Sequence, residues 1–126
     1  MRILTDNRPW GFFEQFTLNE KSTIKILHVF RGKRLSKQYH THREEFWRIL
    51  KGFVQVHLGE RELYLNAGES ITIPAGTTHR VKAIEDAMIL EISFGHFDES
   101  DIVRVEDDFG RESPKSARQS MPVVNV

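Results

Sequence analysis

Short runs rich in β-branched, aromatic and aliphatic residues, broken by turn formers, set the pattern of this chain. Residues 24–30, 35–40, 45–50, 54–58, 61–65, 70–73, 79–83 and 88–94 all read as strands. Between them, Gly52, Leu58-Gly59-Glu60, Asn66-Ala67-Gly68 and Pro74-Ala75-Gly76 supply the tight turns that successive antiparallel strands require. No convincing amphipathic helix separates the eight runs, so the pattern predicts an all-β antiparallel sandwich or barrel.

The flanks differ from this middle. Pro9-Trp10-Gly11-Phe12-Phe13-Glu14-Gln15-Phe16 is too apolar for a free arm and is expected to pack on a sheet face or a partner subunit. An acid-rich stretch covers 98–111, and a polar tail begins at Glu112 with Ser113, Pro114, Ser116, Gln119, Ser120 and Pro122. The expected organisation is one domain over 1–111 and an unstructured tail over 112–126.

With 126 residues the chain makes one domain that buries roughly two-thirds of its unfolded surface. Eighteen basic and eighteen acidic residues cancel, so no overall field favours nucleic acid or an anionic membrane. There is no cysteine, which removes disulfides and thiolate ligands. The first residues lack the apolar run of a signal peptide, and nothing approaches the roughly 20 apolar residues of a membrane helix. A soluble, cytoplasmic protein is the expectation.

Chemistry enters through spacing. One segment reads Gly32, five residues, Gln38, one residue, His40, four residues, Glu45, six residues, Gly52. A second reads Gly68, five residues, Pro74, one residue, Gly76, two residues, His79. Residues at i and i+2 on a strand point to one side of a sheet, which puts Gln38 and His40 together. Imidazole nitrogens with a carboxylate suit a borderline divalent ion: zinc first, with cobalt, manganese, nickel or iron also possible. The proposed ligands are Gln38, His40, Glu45 and His79. Two neutral imidazoles, an amide and one carboxylate would leave such an ion with a net charge near plus one, and hence electrophilic. The plainer role for Gln38 is a hydrogen bond to a ligand. For His28, His57 and His96 the plain role, structural or surface, is the better one.

These paired segments resemble the two motifs of the cupin superfamily, with Gln38 where most cupins carry the first histidine. More narrowly, Arg34-Leu35-Ser36 followed by Gln38-Tyr39-His40-Thr41-His42-Arg43-Glu44-Glu45-Phe46-Trp47 is similar to the signature of the type II mannose-6-phosphate isomerase domain. Arg8-Pro9-Trp10-Gly11, Ile73-Pro74-Ala75-Gly76-Thr77-Thr78-His79-Arg80, and the stretch 101–111 extend the likeness from about Arg8 to Arg111. Thr41, Phe46, Phe94 and Phe109 depart from residues common in that family. The resemblance implies a double-stranded β-helix, the cupin jelly-roll barrel, with one metal in its mouth. It also implies interconversion of mannose 6-phosphate and fructose 6-phosphate. In bacterial bifunctional enzymes the domain follows a guanylyltransferase domain, for which this chain is too short; isomerase chemistry without nucleotidyl transfer is expected.

Such an isomerase moves a proton between neighbouring carbons and needs a base projecting into the barrel beside the metal. Glu91, on the last core strand, is the first candidate, since burial would raise its pKa toward neutrality. A structural ion pair is its equal alternative. His42 is the second candidate, against a loop role. Arg43 matches a family arginine associated with the sugar phosphate, with Arg34, Arg104 and Arg111 as further cations. Arg104 and Arg111 are equally suited to pairing with Asp107 and Asp108. The competing functions are a metal-dependent dioxygenase and a non-catalytic sugar-binding cupin. The expected partners are a small sugar phosphate and a second copy of the chain, since exposed edges of such barrels often pair.

Overall fold

The structure is a computed structural model describing residues 3–114. Its core strands are β3 (Ser22–Val29), β4 (Lys37–Tyr39), β5 (Glu45–Lys51), β6 (Phe53–Leu58), β7 (Arg61–Asn66), β8 (Ser70–Ile73), β9 (His79–Ala83) and β10 (Ala87–Phe94). These match the eight expected runs. Three strands were not foreseen: β1 (Leu4–Arg8) and β2 (Gly11–Gln15) in the aromatic lead, and β11 (Val103–Glu106) in the acid-rich stretch. Consecutive Phe12 and Phe13 break the period of two that would have exposed β2 as a strand.

One sheet runs β3-β10-β5-β8 and the other β11-β4-β9-β6-β7, while β1 and β2 pair as a separate hairpin. Every pairing is antiparallel. Inward residues of both sheets meet in one core. Trp47, Ile49, Ile73 and Ile89 come from the first sheet, and Val54, Val56, Leu58, Val81 and Ala83 from the second. The alternation explains it: β6 buries Val54, Val56 and Leu58 and leaves the intervening side chains half-exposed. Fully burying an aliphatic side chain of this size contributes roughly 1.5–3 kcal/mol.

The aromatic lead packs on the outer face of the first sheet. Phe16 meets Phe46 with ring centroids 5.5 Å apart, and Glu14 pairs with Arg48 at 2.7 Å. Trp10 is 73% exposed. At the other end of the domain, Ser113 donates from its amide to the Arg104 carbonyl at 2.9 Å and accepts the Arg104 amide at 2.8 Å, so the chain is still tied down just past Arg111. Residues 115–126, most of the expected tail, lie outside the described residues. Among the described residues, no helix is long and apolar enough to cross a membrane.

Candidate metal centre

Three inward rows change character from one end of the barrel to the other. On β5 the row is Glu45, Trp47, Ile49; on β9 it is His79, Val81, Ala83; on β10, read backwards, it is Ser93, Glu91, Ile89, and all nine are buried. Antiparallel register aligns their polar ends, with Glu45 opposite Ser93, Trp47 opposite Glu91, and His79 opposite Gln38. His40 follows β4 directly. A polar mouth therefore sits on an apolar floor.

In that mouth Glu45 Oε1 lies 3.7 Å from His40 Nε2 and 3.6 Å from His79 Nε2. His40, Glu45 and His79 each offer one ligand atom, all within 4.8 Å of one another, and this buried group could hold a metal ion. The ring orientations favour it. His40 Nδ1 faces the Asp101 carbonyl at 2.6 Å and His79 Nδ1 the Thr77 carbonyl at 2.8 Å. A carbonyl only accepts, so each Nδ1 carries the proton and each Nε2 turns a lone pair inward. Glu45 Oε1 and His79 Nε2 are buried with no hydrogen-bond partner among the described residues. Orphaned acceptors converging on one point are what a cation would satisfy.

The electrostatics agree. Burial pushes the His79 pKa down to about 3 and also lowers that of His40, so both rings stay neutral and able to ligate. Burial raises the Glu45 carboxyl, against the pull of Arg43. Gln38 stands at the edge of the group, its amide nitrogen 3.5 Å from His40 Nε2 and its oxygen accepting from Ser36 Oγ at 2.6 Å. A hydroxyl both donates and accepts, so the amide turned over keeps its bond to Ser36 and presents oxygen to the cluster.

Glu91 is 7% exposed and accepts a hydrogen bond from Trp47 Nε1 at 3.2 Å. Burial first, then the neighbouring Glu45 charge, raise its pKa, as expected of a base inside the barrel. His42 is elsewhere: it is exposed, and its backbone amide donates to the Asp101 carboxylate at 2.9 Å.

The arginines divide. Arg43 is buried and turned inward, with Nε on Glu45 Oε2 at 3.1 Å, Nη2 against His40 Nε2 at 3.3 Å and Nη1 on the Asp98 carbonyl at 3.2 Å. Arg34 forks onto Asp108 at 2.6 and 2.7 Å, and Arg111 pairs with Asp107 at 2.7 Å. The Arg111 hydrogen bond holds the Asp107 carboxyl down to about 2. The fastening expected of Arg111 is present, whereas the partner of Asp108 is Arg34, not Arg104. Arg104 lies opposite Gln38, its Nε buried without a hydrogen-bond partner among the described residues. His28, His57 and His96 stay outside the metal group.

Sequence reasoning missed Lys25, Phe97 and Ser93. Ser93 Oγ donates to Glu45 Oε2 at 3.3 Å, and the Lys25 ammonium and the Arg43 guanidinium each lie 4.4 Å from the centre of the Phe97 ring. A lysine two residues from Leu27 and four from Val29, in the inward row of β3, was the available signal.

Two antiparallel sheets in a jelly-roll, with a buried two-histidine, one-carboxylate group at one end, define a cupin. Residues 3–107 match the family described as "Mannose-6-phosphate isomerase C-terminal", and the chain belongs to that family. It is 37% identical over 107 residues to the xanthan biosynthesis protein XanB of Xanthomonas campestris pv. campestris, covering 82% of this chain and 23% of that protein. It is 36% identical over 114 residues to a mannose-1-phosphate guanylyltransferase of Sinorhizobium fredii, covering 88% of this chain and 22% of that one. The chain thus spans under a quarter of these relatives' length. A cupin-2 domain protein of Shewanella frigidimarina shares the fold with a TM-score of 0.54 at 24% identity, over 64% of this chain and 76% of that one.

Proposed function

We propose that the protein is a metal-dependent aldose–ketose isomerase acting on mannose 6-phosphate and fructose 6-phosphate. The observation that carries this reading is the pairing of two differently disposed groups in one mouth. One is the group His40, Glu45 and His79, in which Glu45 Oε1 and His79 Nε2 have no hydrogen-bond partner among the described residues, and the other is a second buried carboxylate, Glu91, outside that set. His40, Glu45 and His79 would hold the ion, and Gln38 would add a fourth donor if its amide is turned over. When bound, a divalent ion such as zinc supplies Lewis-acid stabilisation for the negative charge that develops on the substrate's oxygens as a proton leaves carbon.

Glu91 takes that proton from one carbon and returns it to the neighbouring one, while the hydroxyl proton passes between the two substrate oxygens. Its raised pKa makes it a stronger base than an exposed glutamate, and the Trp47 indole holds one of its oxygens in place. Arg43 keeps Glu45 oriented through Oε2 while Oε1 stays turned to the histidines. A cytoplasmic homodimer is part of the same reading, supported by the exposed Ile24 and Ile26 on edge strand β3.

A coupled assay of fructose 6-phosphate formation with zinc, cobalt, manganese or nickel tests it. Turnover above the metal blank is expected, lost in Glu91→Gln while metal content is kept. No turnover with any metal would reject isomerisation, and oxygen uptake with ferrous iron would replace it with a dioxygenase.

A further inference from the structure

The metal group is closed off. His40, Glu45 and His79 are 2%, 1% and 1% exposed, so a sugar reaches them only if something at the mouth moves. Residues 95–98 reach that mouth through Phe97 and Asp98, which both contact Arg43. Phe97 meets two cations, with the Lys25 ammonium and the Arg43 guanidinium each 4.4 Å from its ring centre. The next residue, Asp98, lends its carbonyl to Arg43 Nη1 at 3.2 Å. Gly95 has a φ of 81°, left-handed backbone that glycine adopts freely, and follows the end of β10. Further on, Asp101 is firmly anchored, capping the amides of Thr41 and His42 and bonding His40. The Gly95 amide donates to the Lys21 carbonyl at 2.8 Å and the Asp98 carbonyl accepts the Asp101 amide at 3.0 Å, so both ends of the turn are fixed and the piece left to move is the Phe97 side chain between them.

We propose that Lys25 and Arg43 form the clamp for the substrate's phosphate, that Phe97 occupies the clamp when substrate is absent, and that the Phe97 side chain turns away to admit it. The clamp deepens the isomerase reading and takes its substrate class from it. Both cations already share one partner whose attraction is modest, and they stand within twice 4.4 Å of each other, room enough for an anion in place of the ring. With the ring turned away, a phosphate oxygen takes its place against the Arg43 guanidinium while Asp98 stays bonded to Ser100 and Asp101. Arg43 then links the two ends of the substrate, since its other nitrogens stay on Glu45 and beside His40. Lys25 lies opposite Glu91 in the β3–β10 register, so the clamp adjoins the proposed base. A phosphate dianion gains more from an ammonium and a guanidinium than a ring does, and that difference drives the exchange.

Calorimetric titrations of the zinc-loaded protein with mannose 6-phosphate, mannose and inorganic phosphate test the clamp. Lys25→Gln should weaken mannose 6-phosphate and phosphate binding about tenfold or more, leave mannose unchanged, and be largely rescued by Lys25→Arg. Phe97→Ala should tighten phosphate binding several-fold by removing the competitor. Lys25 is exposed, so Lys25→Gln should melt with the wild type. Equal affinity of Lys25→Gln and wild type for mannose 6-phosphate would overturn the proposal. The two readings fail differently: an unchanged KM with turnover intact in Lys25→Gln removes the clamp alone. Phosphate-dependent binding that needs Lys25, without turnover at any metal, keeps the clamp and removes the isomerase.

Discussion

The floor and the mouth of this barrel are made by the same strands, yet they obey opposite rules. On β5, Ile49 on the floor and Glu45 in the mouth are four residues, about 13 Å, apart on the same side of the sheet. At the floor the inward side chains are apolar and remove surface from water. At the mouth the same inward direction buries His40, Glu45, His79, Arg43 and Glu91, with acceptors left unpartnered. Burying polar groups without partners costs stability, so the mouth is held in its strained arrangement by the floor beneath it. Stability and chemistry are separated along each strand rather than between domains.

The largest effect expected from breaking that division is at the ligands. His79→Gln should abolish measurable tight zinc binding, more than the roughly 10–100-fold lost when an outer partner of a ligand is removed. It should leave the protein folded, because its Nε2 bonds nothing in the protein. Competition with a chromogenic chelator reads the affinity, and retention of wild-type affinity would show that the group is not the metal site. Ile49→Ala is the converse experiment. It should cost about 2–5 kcal/mol in urea melts while zinc stoichiometry stays at one per folded chain. Loss of zinc at full stability would dissolve the distinction between the two ends.

Much of this division was legible beforehand, and the parts that were not share a cause. The meeting of His40, Glu45 and His79 was readable because turns fix their place on or beside strands whose inward rows follow from period two. Glu91 was readable for the same reason. Arg43 could be tied to a sugar phosphate, but not seen to face Glu45 and His40, since its direction depends on Asp98, fifty-five residues away. Phe97 against Lys25 and Arg43 is likewise a contact between strand and loop that local pattern does not encode. Strand β11 stayed hidden because Val103-Arg104-Val105-Glu106 is flanked by acids and is strand only by pairing with β4. The exposed His42 shows the reverse limit: a neighbour of ligands in sequence need not be one in space.

A smaller effect belongs to the floor's own turn. Gly52 joins β5 to β6 with a φ of 90°, and a Cβ there would run into the Asp86 carbonyl oxygen. Gly52→Ala should therefore destabilise by about 1–3 kcal/mol through backbone strain, without altering zinc affinity. Equal melting midpoints for variant and wild type would show that the turn relaxes freely.

The smallest expected effect has the opposite sign and tests the mouth directly. The Glu91 pKa is raised by burial and by Glu45, so the folded protein holds this proton more tightly than the unfolded chain does. Below about pH 4 both states are protonated and the residue costs nothing. As pH rises past 4.5, the ordinary value for a glutamate, the unfolded chain ionises first, and stability falls until the folded pKa is passed. Glu91→Gln stays neutral throughout and still offers an oxygen to Trp47 Nε1. In metal-free protein the variant should match wild type at pH 4 and exceed it in stability at pH 8. Urea melts at the two pH values read the difference. If Glu91→Gln is instead less stable at pH 8, then Glu91 is ionised and held by Lys25 as a structural pair, and the mouth is no longer the costly end of the barrel.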